Sequence, residues 1–417
     1  MKPPSSAPLD HSITAQSIPG DAVPRGFRFG AGTAGIKASG RPDLALVIAA
    51  EGTTAAAMFT GNRVVAAPVI VGGRHLLRSE GRVRAIVVNS GNANCATGTA
   101  GLEICQQICA AAGALIGCQT NEVFPSSTGI IGIPLPGEKL IAALPAAMKE
   151  LGDTSAHFRR FAEAILTTDT RAKMAFATAE IAGKQVGLLG ACKGAGMIHP
   201  QLVPHATMLV YLFTDAVAEA VELSPLLGAV ADRTFNRISI DGDTSTNDTV
   251  LLLASGASGV QIRHNNESFR SALEGVCKSL AMQILHDGEG VTHVVELSIE
   301  GAPDDSAALR VAKAVAHSAL VKTAWAGADP NWGRLLAAVG SCGIEVDPAL
   351  ISVWFGDQAI CAEGTRAPGL DEERAHEYLK QREFTVRIVV GRGPGSCRFW
   401  TTDLTVEYVH INADYST

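Results

Sequence analysis

A threonine hydroxyl is a poor nucleophile until a base stands beside it, and the sequence offers one place where the chain could supply that base itself. Lys193-Gly194-Ala195-Gly196-Met197-Ile198-His199-Pro200 continues through Gln201 to His205 and reaches Ala206-Thr207, after which Met208-Leu209-Val210-Tyr211-Leu212 reads as a buried strand. A cut after Ala206 would free an α-amine next to the Thr207 hydroxyl, the pairing of nucleophile and base that terminal-threonine enzymes use. Such amines titrate at about 7.7–8.0, which suits a general base near neutral pH. Taken alone, the segment reads more plainly as a β-branched residue opening a strand. Pro125-Ser126-Ser127-Thr128-Gly129-Ile130-Ile131-Gly132 reads as a small-residue turn that could aim backbone N–H groups and a hydroxyl at one oxygen, as an oxyanion hole requires. Thr167-Thr168-Asp169-Thr170 follows the helical run FAEAIL, where a cap or Asx-turn is the ordinary reading. Asp287-Gly288-Glu289-Gly290 sets a carboxylate between glycines ahead of THVVEL; by turn chemistry alone it is a turn.

Other motifs match by letter and fail by context. Gly30-Ala31-Gly32-Thr33-Ala34-Gly35 has the dinucleotide spacing, with Glu51 beyond it, but Pro19, Gly20 and Pro24 precede it and Gly40 and Pro42 would break the helix it needs. No phosphate-binding G-x-x-x-x-G-K-[ST] occurs. His199 and His205 lack zinc spacing and read as loop histidines. Cys95, Cys105, Cys109 and Cys118 read as a helix face in a core rather than a metal or redox site. No metal and no cofactor is expected.

The elements that must position these groups read as α/β layers. Short β-like runs (ALVIAA, RAIVVNS, VGLLGA, TMLVYLF) alternate with helical ones (GLEICQQICAAAGALIG, EKLIAALPAAMKEL, HFRRFAEAIL). The second half continues with AVAEAVELSPLLGAVADRTF, SFRSALEGVCKSLAMQIL and SAALRVAKAVAHSALVKTAWA as helices. ISI, TVLLLASG, THVVELSIEG, ISVWFG, EFTVRIVVGRG and LTVEYVHINA read as strands, several alternating polar with apolar as antiparallel strands covered on one face do. Residues 1–20 are Pro/Ser-rich and expected to be a flexible arm. At 417 residues, 47% hydrophobic and 18% charged, the chain can bury a large core. Its net charge of −7 has no basic block, which argues against nucleic acid. No apolar stretch is expected to span a membrane and no signal peptide is visible. The nine cysteines sit mostly in apolar runs, as reduced thiols do, so a cytoplasmic location is expected.

Together the segments resemble the ornithine acetyltransferase (glutamate N-acetyltransferase) family of self-cleaving N-terminal-nucleophile enzymes. The likeness runs through Gly35-Ile36-Lys37, Val88-Asn89-Ser90-Gly91-Asn92-Ala93-Asn94-Cys95-Ala96-Thr97-Gly98, Ser127 to Gly132, Thr167 to Thr170, Lys193 to Ile198 and Ala206 to Leu209. It continues in Ser239-Ile240-Asp241-Gly242-Asp243-Thr244-Ser245-Thr246-Asn247-Asp248, Asp287 to Gly290, Asp329-Pro330-Asn331-Trp332-Gly333-Arg334 and the terminal Ile411 to Thr417. The resemblance implies a fold of sheets covered by helices and a cut between Ala206 and Thr207, giving chains 21–206 and 207–417 (behind the arm) that assemble as an α2β2 heterotetramer. It makes Thr207 the nucleophile and Thr128 and Gly129 the oxyanion donors. Thr167, Lys193, Thr207, Glu289, Asn412 and Thr417 become substrate-binding. The activity implied is acetyl transfer from N2-acetylornithine to glutamate in arginine biosynthesis, with acetyl-CoA as a second donor in bifunctional members. The rivals are an aminopeptidase or amidase with the same threonine, and an uncleaved silent scaffold. The loop from Lys193 to Thr207 is longer here than the family pattern, and His293 stands where lysine is common, placing a pH-dependent charge near the site.

Overall fold

The computed structural model describes residues 18–19, 22–200 and 208–414. The chain runs through β1 (Phe27–Gly32), β2 (Leu44–Ala49), β3 (Thr54–Phe59), α1 (Ala67–Arg78), β4 (Ala85–Asn92), α2 (Gly98–Ile116), β5 (Val123–Ile130), α3 (Gly137–Lys149), α4 (Ser155–Ala164), β6 (Lys173–Ile181) and β7 (Lys184–Lys193). It continues through β8 (Leu209–Thr214), α5 (Ala220–Ala231), β9 (Thr249–Ala254), α6 (Glu267–His286), β10 (Val294–Ala302), α7 (Asp305–Ala316), α8 (Ala319–Ala326), α9 (Trp332–Gly340), β11 (Ser352–Phe355), β12 (Gln358–Ala362), β13 (Thr365–Arg366), α10 (Glu372–Leu379), β14 (Glu383–Val389), β15 (Gly395–Thr402) and α11 (Val406–Asp414).

The strands form three sheets, ordered β1-β2-β4-β5, β3-β9-β8-β7-β6 and β13-β12-β11-β14-β10-β15. The period-two rule for strand faces explains how the first two sheets stack. In β8, Leu209, Tyr211 and Phe213 point into a core shared with Phe27, Phe29, Val47 and Val88 of the first sheet. Val210 and Leu212 point the other way, against Leu223 and Leu227 of α5 and Leu280 and Ile284 of α6. The outer face of the first sheet is covered in turn by α2 and α3, through Cys105, Ile108, Leu140 and Leu144. The result is a helix, sheet, sheet, helix stack, and it accounts for the unbroken apolar runs of β8 and β9, since both faces of those strands are buried. Each such side chain contributes about 1.5–3 kcal/mol of burial. The third sheet carries a separate core with α7 to α10. Its β10 alternates, with Val295, Leu297 and Ile299 inside. Its pairings are antiparallel except β10 with β14.

The layered α/β expectation holds, and several elements correct the sequence reading. LTVEYVHINA is a loop and a helix, not a strand: the Thr405 hydroxyl accepts the Tyr408 N–H at 3.3 Å and donates to the Gly290 carbonyl at 2.7 Å, starting α11. The single helix expected over SAALRVAKAVAHSALVKTAWA breaks at His317, and the Ser318 hydroxyl caps α8. ISI joins no sheet. The turn expected around Ser126–Thr128 is the end of β5, because Ser127 donates its hydroxyl to Asn89 Oδ1 at 2.6 Å and is thereby satisfied inside the sheet. Gly30 and Gly32 lie within β1 with no helix behind them. Among the described residues, α2 is long and apolar enough to cross a membrane, contrary to the sequence expectation. Its Cys105, Ile108, Cys109 and Ala112 face the first sheet while Glu103, Gln106 and Gln107 are exposed. Of the expected arm only residues 18 and 19 are described, and Ile18 is packed in the core.

Candidate active site

One cavity of about 360 Å³ opens where the ends of β5 and β7, the start of β8, the α6–β10 turn and α11 converge. Thr128, Gly129, Thr167, Lys193, Glu289 and Asn412 all line it, as do Met208 and Leu209. Ala206, Thr207, Thr417 and His205 lie outside the described residues. Met208, the covalent neighbour of Thr207, is nonetheless on the cavity wall.

The segment expected to hold an oxyanion is set by backbone contact. Gly129 has φ +132°, and a Cβ there would fall 2.3 Å from the Gly91 carbonyl carbon and 2.5 Å from the Asn92 nitrogen, so only glycine lets the ends of β4 and β5 touch. Asn247 fixes the same region: its Nδ2 donates to the Ala93 carbonyl at 2.6 Å and the Ser127 carbonyl at 2.9 Å. The Thr128 and Thr167 hydroxyls form no hydrogen bond with a described residue.

Lys193 ends β7 at the cavity wall, facing Asp169, Glu289 and Asp248. Burial lowers its pKa, and those carboxylates counter the effect. Burial would by itself raise the Asp169 carboxyl, but Lys173 and Lys193 hold it far below the carboxylate range. Asp169 is therefore more than the helix-end cap its sequence context indicates. It accepts the Gly194 N–H at 2.7 Å and the Thr167 N–H at 3.0 Å, and it meets Lys173 at 2.6 Å. Glu289 accepts Asn412 Nδ2 at 2.8 Å, and its own N–H donates to the Ala195 carbonyl at 2.9 Å. A Cβ on Gly196 would lie 2.3 Å from Glu289 Oε2, so the glycine loop and the carboxylate need each other's shape. Asp241 gathers the same loop, accepting the Met197 N–H at 2.6 Å, the Ile198 N–H at 2.8 Å and the Tyr408 hydroxyl at 3.2 Å. His293 is not on the cavity wall; it pairs with Asp403 at 3.1 Å. His199 is buried, its ring 4.2 Å from that of His317. Cys105 and Cys109 are buried on α2, whereas Cys95 and Cys118 fall outside that helix.

Chemically the cavity offers one ammonium among several carboxylates, free hydroxyls, and a strand end whose backbone is held rigid. That suits a small molecule carrying both a carboxylate and a cation. Lys173, Asp241 and Asn247 were not legible as site residues, although Asp241 and Asn247 sit in a run dense with short polar side chains, which was the available signal.

The ArgJ family model matches residues 28–417. A protein named arginine biosynthesis bifunctional protein ArgJ from Methylococcus capsulatus is 44% identical over 94% of this chain and 95% of its own. One of the same name from Geobacter sulfurreducens is 42% identical over 94% of this chain and 99% of its own. Among solved structures, an arginine biosynthesis bifunctional protein from Bacillus halodurans is 40% identical over 49% of this chain and 98% of that one, at a TM-score of 0.47. An ornithine acetyltransferase complexed with ornithine, from Mycobacterium tuberculosis, is 35% identical over 44% of this chain and 95% of that one, at a TM-score of 0.38.

Proposed function

The chain belongs to the ArgJ family, and from that premise we propose that it is an acetyltransferase of arginine biosynthesis that moves acetyl from N2-acetylornithine to glutamate through Thr207. The observation that carries the reading is that Thr128, Gly129, Thr167, Lys193, Glu289 and Asn412 share one cavity with Met208, the residue bonded to Thr207. A cut after Ala206 leaves chains 1–206 and 207–417 and a free α-amine at Thr207.

In the first half-reaction that amine takes the hydroxyl proton as Oγ attacks the acetyl carbonyl carbon. The negative charge that develops on the carbonyl oxygen meets Thr128 and Gly129, a contribution of about 3 kcal/mol per donor. The acetyl C–N bond then breaks, the α-nitrogen of ornithine takes the proton, and ornithine leaves. In the second half-reaction the neutral α-amine of glutamate attacks the acetyl ester. Its proton passes to the Thr207 amine and on to the departing Thr207 oxygen, giving N-acetylglutamate. Lys193 is the cation for the α-carboxylate that both amino acids carry, while Glu289, held by Asn412, offers a carboxylate to the cationic end of ornithine.

A denaturing gel and an ornithine-release assay test this. Wild-type protein should run as two bands, release one equivalent of ornithine per site without an acceptor, and turn over continuously only with glutamate or another acceptor present. Thr207→Ala should remain one band without turnover, and Thr207→Ser should keep part of both activities. Ornithine release by the alanine variant would end the proposal.

A further inference from the structure

Lys173 opens β6 with no solvent exposure and does not line the cavity. Its Nζ lies 2.6 Å from Asp169 Oδ1 and 2.5 Å from Asp287 Oδ2. A charge buried so completely persists only where its partners are held, and here each partner is held by a segment of the site. Asp169 accepts the N–H of Thr167, itself a cavity residue, and of Gly194, the residue after Lys193. Asp287 accepts both the N–H (3.1 Å) and the hydroxyl of Thr170 and stands two residues before Glu289. Three separate stretches of chain, carrying Thr167, Lys193 and Glu289, therefore meet at one ammonium group. The stretch carrying Asp287 and Glu289 lies beyond the proposed cut and the other two before it.

We propose that Lys173 is a positioning residue that locks Thr167, Lys193 and Glu289 into one geometry across the two chains. The proposal rests on the acetyl-transfer reading for its kinetic consequence, and it has an electrostatic consequence that does not. Lys193 is faced by Asp169, Lys173, Glu289 and Asp248, with Lys37 also within its field. When the Lys173 charge is removed, Asp169 keeps the N–H groups of Thr167 and Gly194 and the neighbouring Lys193 charge, so it stays ionised. Lys193 then loses a like charge and keeps its attraction to Asp169, and it holds its proton to higher pH.

Lys173→Met keeps the length of the side chain and deletes the charge. Competitive acetylation of the full-length protein with acetic anhydride across pH, read at Lys193 by peptide mass spectrometry, should show its titration midpoint rising by about one unit. The kcat/KM for acetylornithine should fall about ten- to a hundredfold, mainly through KM, as loosened binding groups require. A folded variant with an unmoved or lowered Lys193 midpoint and an unchanged KM would overturn the proposal. Should Lys173→Met fail to fold, Asp287→Asn breaks the same lock at its other end; a raised KM supports the proposal and a wild-type KM overturns it. Wild-type protein that releases no ornithine, while Lys173→Met still raises the Lys193 midpoint, would remove the acetyl-transfer reading and leave the lock standing.

Discussion

Gly129→Ala would place a Cβ 2.3 Å from the Gly91 carbonyl carbon, 2.5 Å from the Asn92 nitrogen and 2.7 Å from the Gly91 Cα. Carbon–carbon contact is comfortable at about 3.5 Å, so the strand ends must separate by roughly an ångström or the residue must leave φ +132°. Nothing flexible is available to yield, because every clashing atom is backbone and Asn247 ties the adjoining Ser127 carbonyl down. A misplacement of about 1 Å at a reacting group costs around a hundredfold in rate. Outright loss of one oxyanion donor costs about 10²–10³ in kcat. Gly129→Ala should accordingly lower kcat by about 10²–10³ in the processed fraction, with KM nearly unchanged because the interaction lost belongs to the transition state. The assay is steady-state ornithine release on material separated from any uncut precursor, with a thermal melt alongside to identify unfolding. A processed, folded variant within about fivefold of wild-type kcat would refute the assignment of the oxyanion site to this strand end.

Asn247→Ala strands two buried carbonyls and should destabilise the fold by about 2–3 kcal/mol, measurable by urea unfolding, with a loss of turnover larger than that of binding. Deleting residues 412–417 removes the 2.8 Å bond to Glu289 and should raise KM for acetylornithine while leaving the cut after Ala206 intact, read by kinetics and a gel. Burial holds His199 at about 3 and His317 at about 4. Unfolded histidines bind protons below about 6.5 while these do not, so stability should fall from pH 6.5 toward pH 4. Each histidine contributes a loss of about 2 kcal/mol by pH 5; equal urea midpoints at pH 7 and pH 5 would contradict that burial.

The sequence carried the chemistry of the cavity further than its framework. Thr128 was legible because an oxyanion site demands donors in a small-residue setting, whereas Lys193 and Glu289 entered only through the family resemblance, since Asp287-Gly288-Glu289-Gly290 alone reads as a turn. The apolar runs of β8 and β9 showed that they were buried. They did not show that Leu209, Tyr211 and Phe213 face another sheet, since a strand covered on both sides reads the same whatever covers it. Alternation at Leu404, Val406 and Tyr408 imitated a strand, and the decisive contact, Thr405 with Gly290, is made 115 residues away. Lys173 was invisible for a related reason: a lysine opening a mixed strand is ordinarily solvated, and only the fold brings Asp169 and Asp287 to it.

The placement of β8 bears on what happens when the protein is unfolded and allowed to recover. β8 starts just beyond the proposed cut, yet it lies inside its sheet, antiparallel to β7 on one side and parallel to β9 on the other. Before the cut, inserting it is a step within one molecule and proceeds at a rate independent of dilution. Afterwards β7 and β8 belong to different molecules, so rebuilding the sheet becomes a second-order encounter between fragments whose exposed strand edges also pair with wrong partners. The uncut Thr207→Ala chain should therefore refold at any dilution, whereas recovery of the mature enzyme from urea should fall on dilution, making its working lifetime a matter of the unfolding rate.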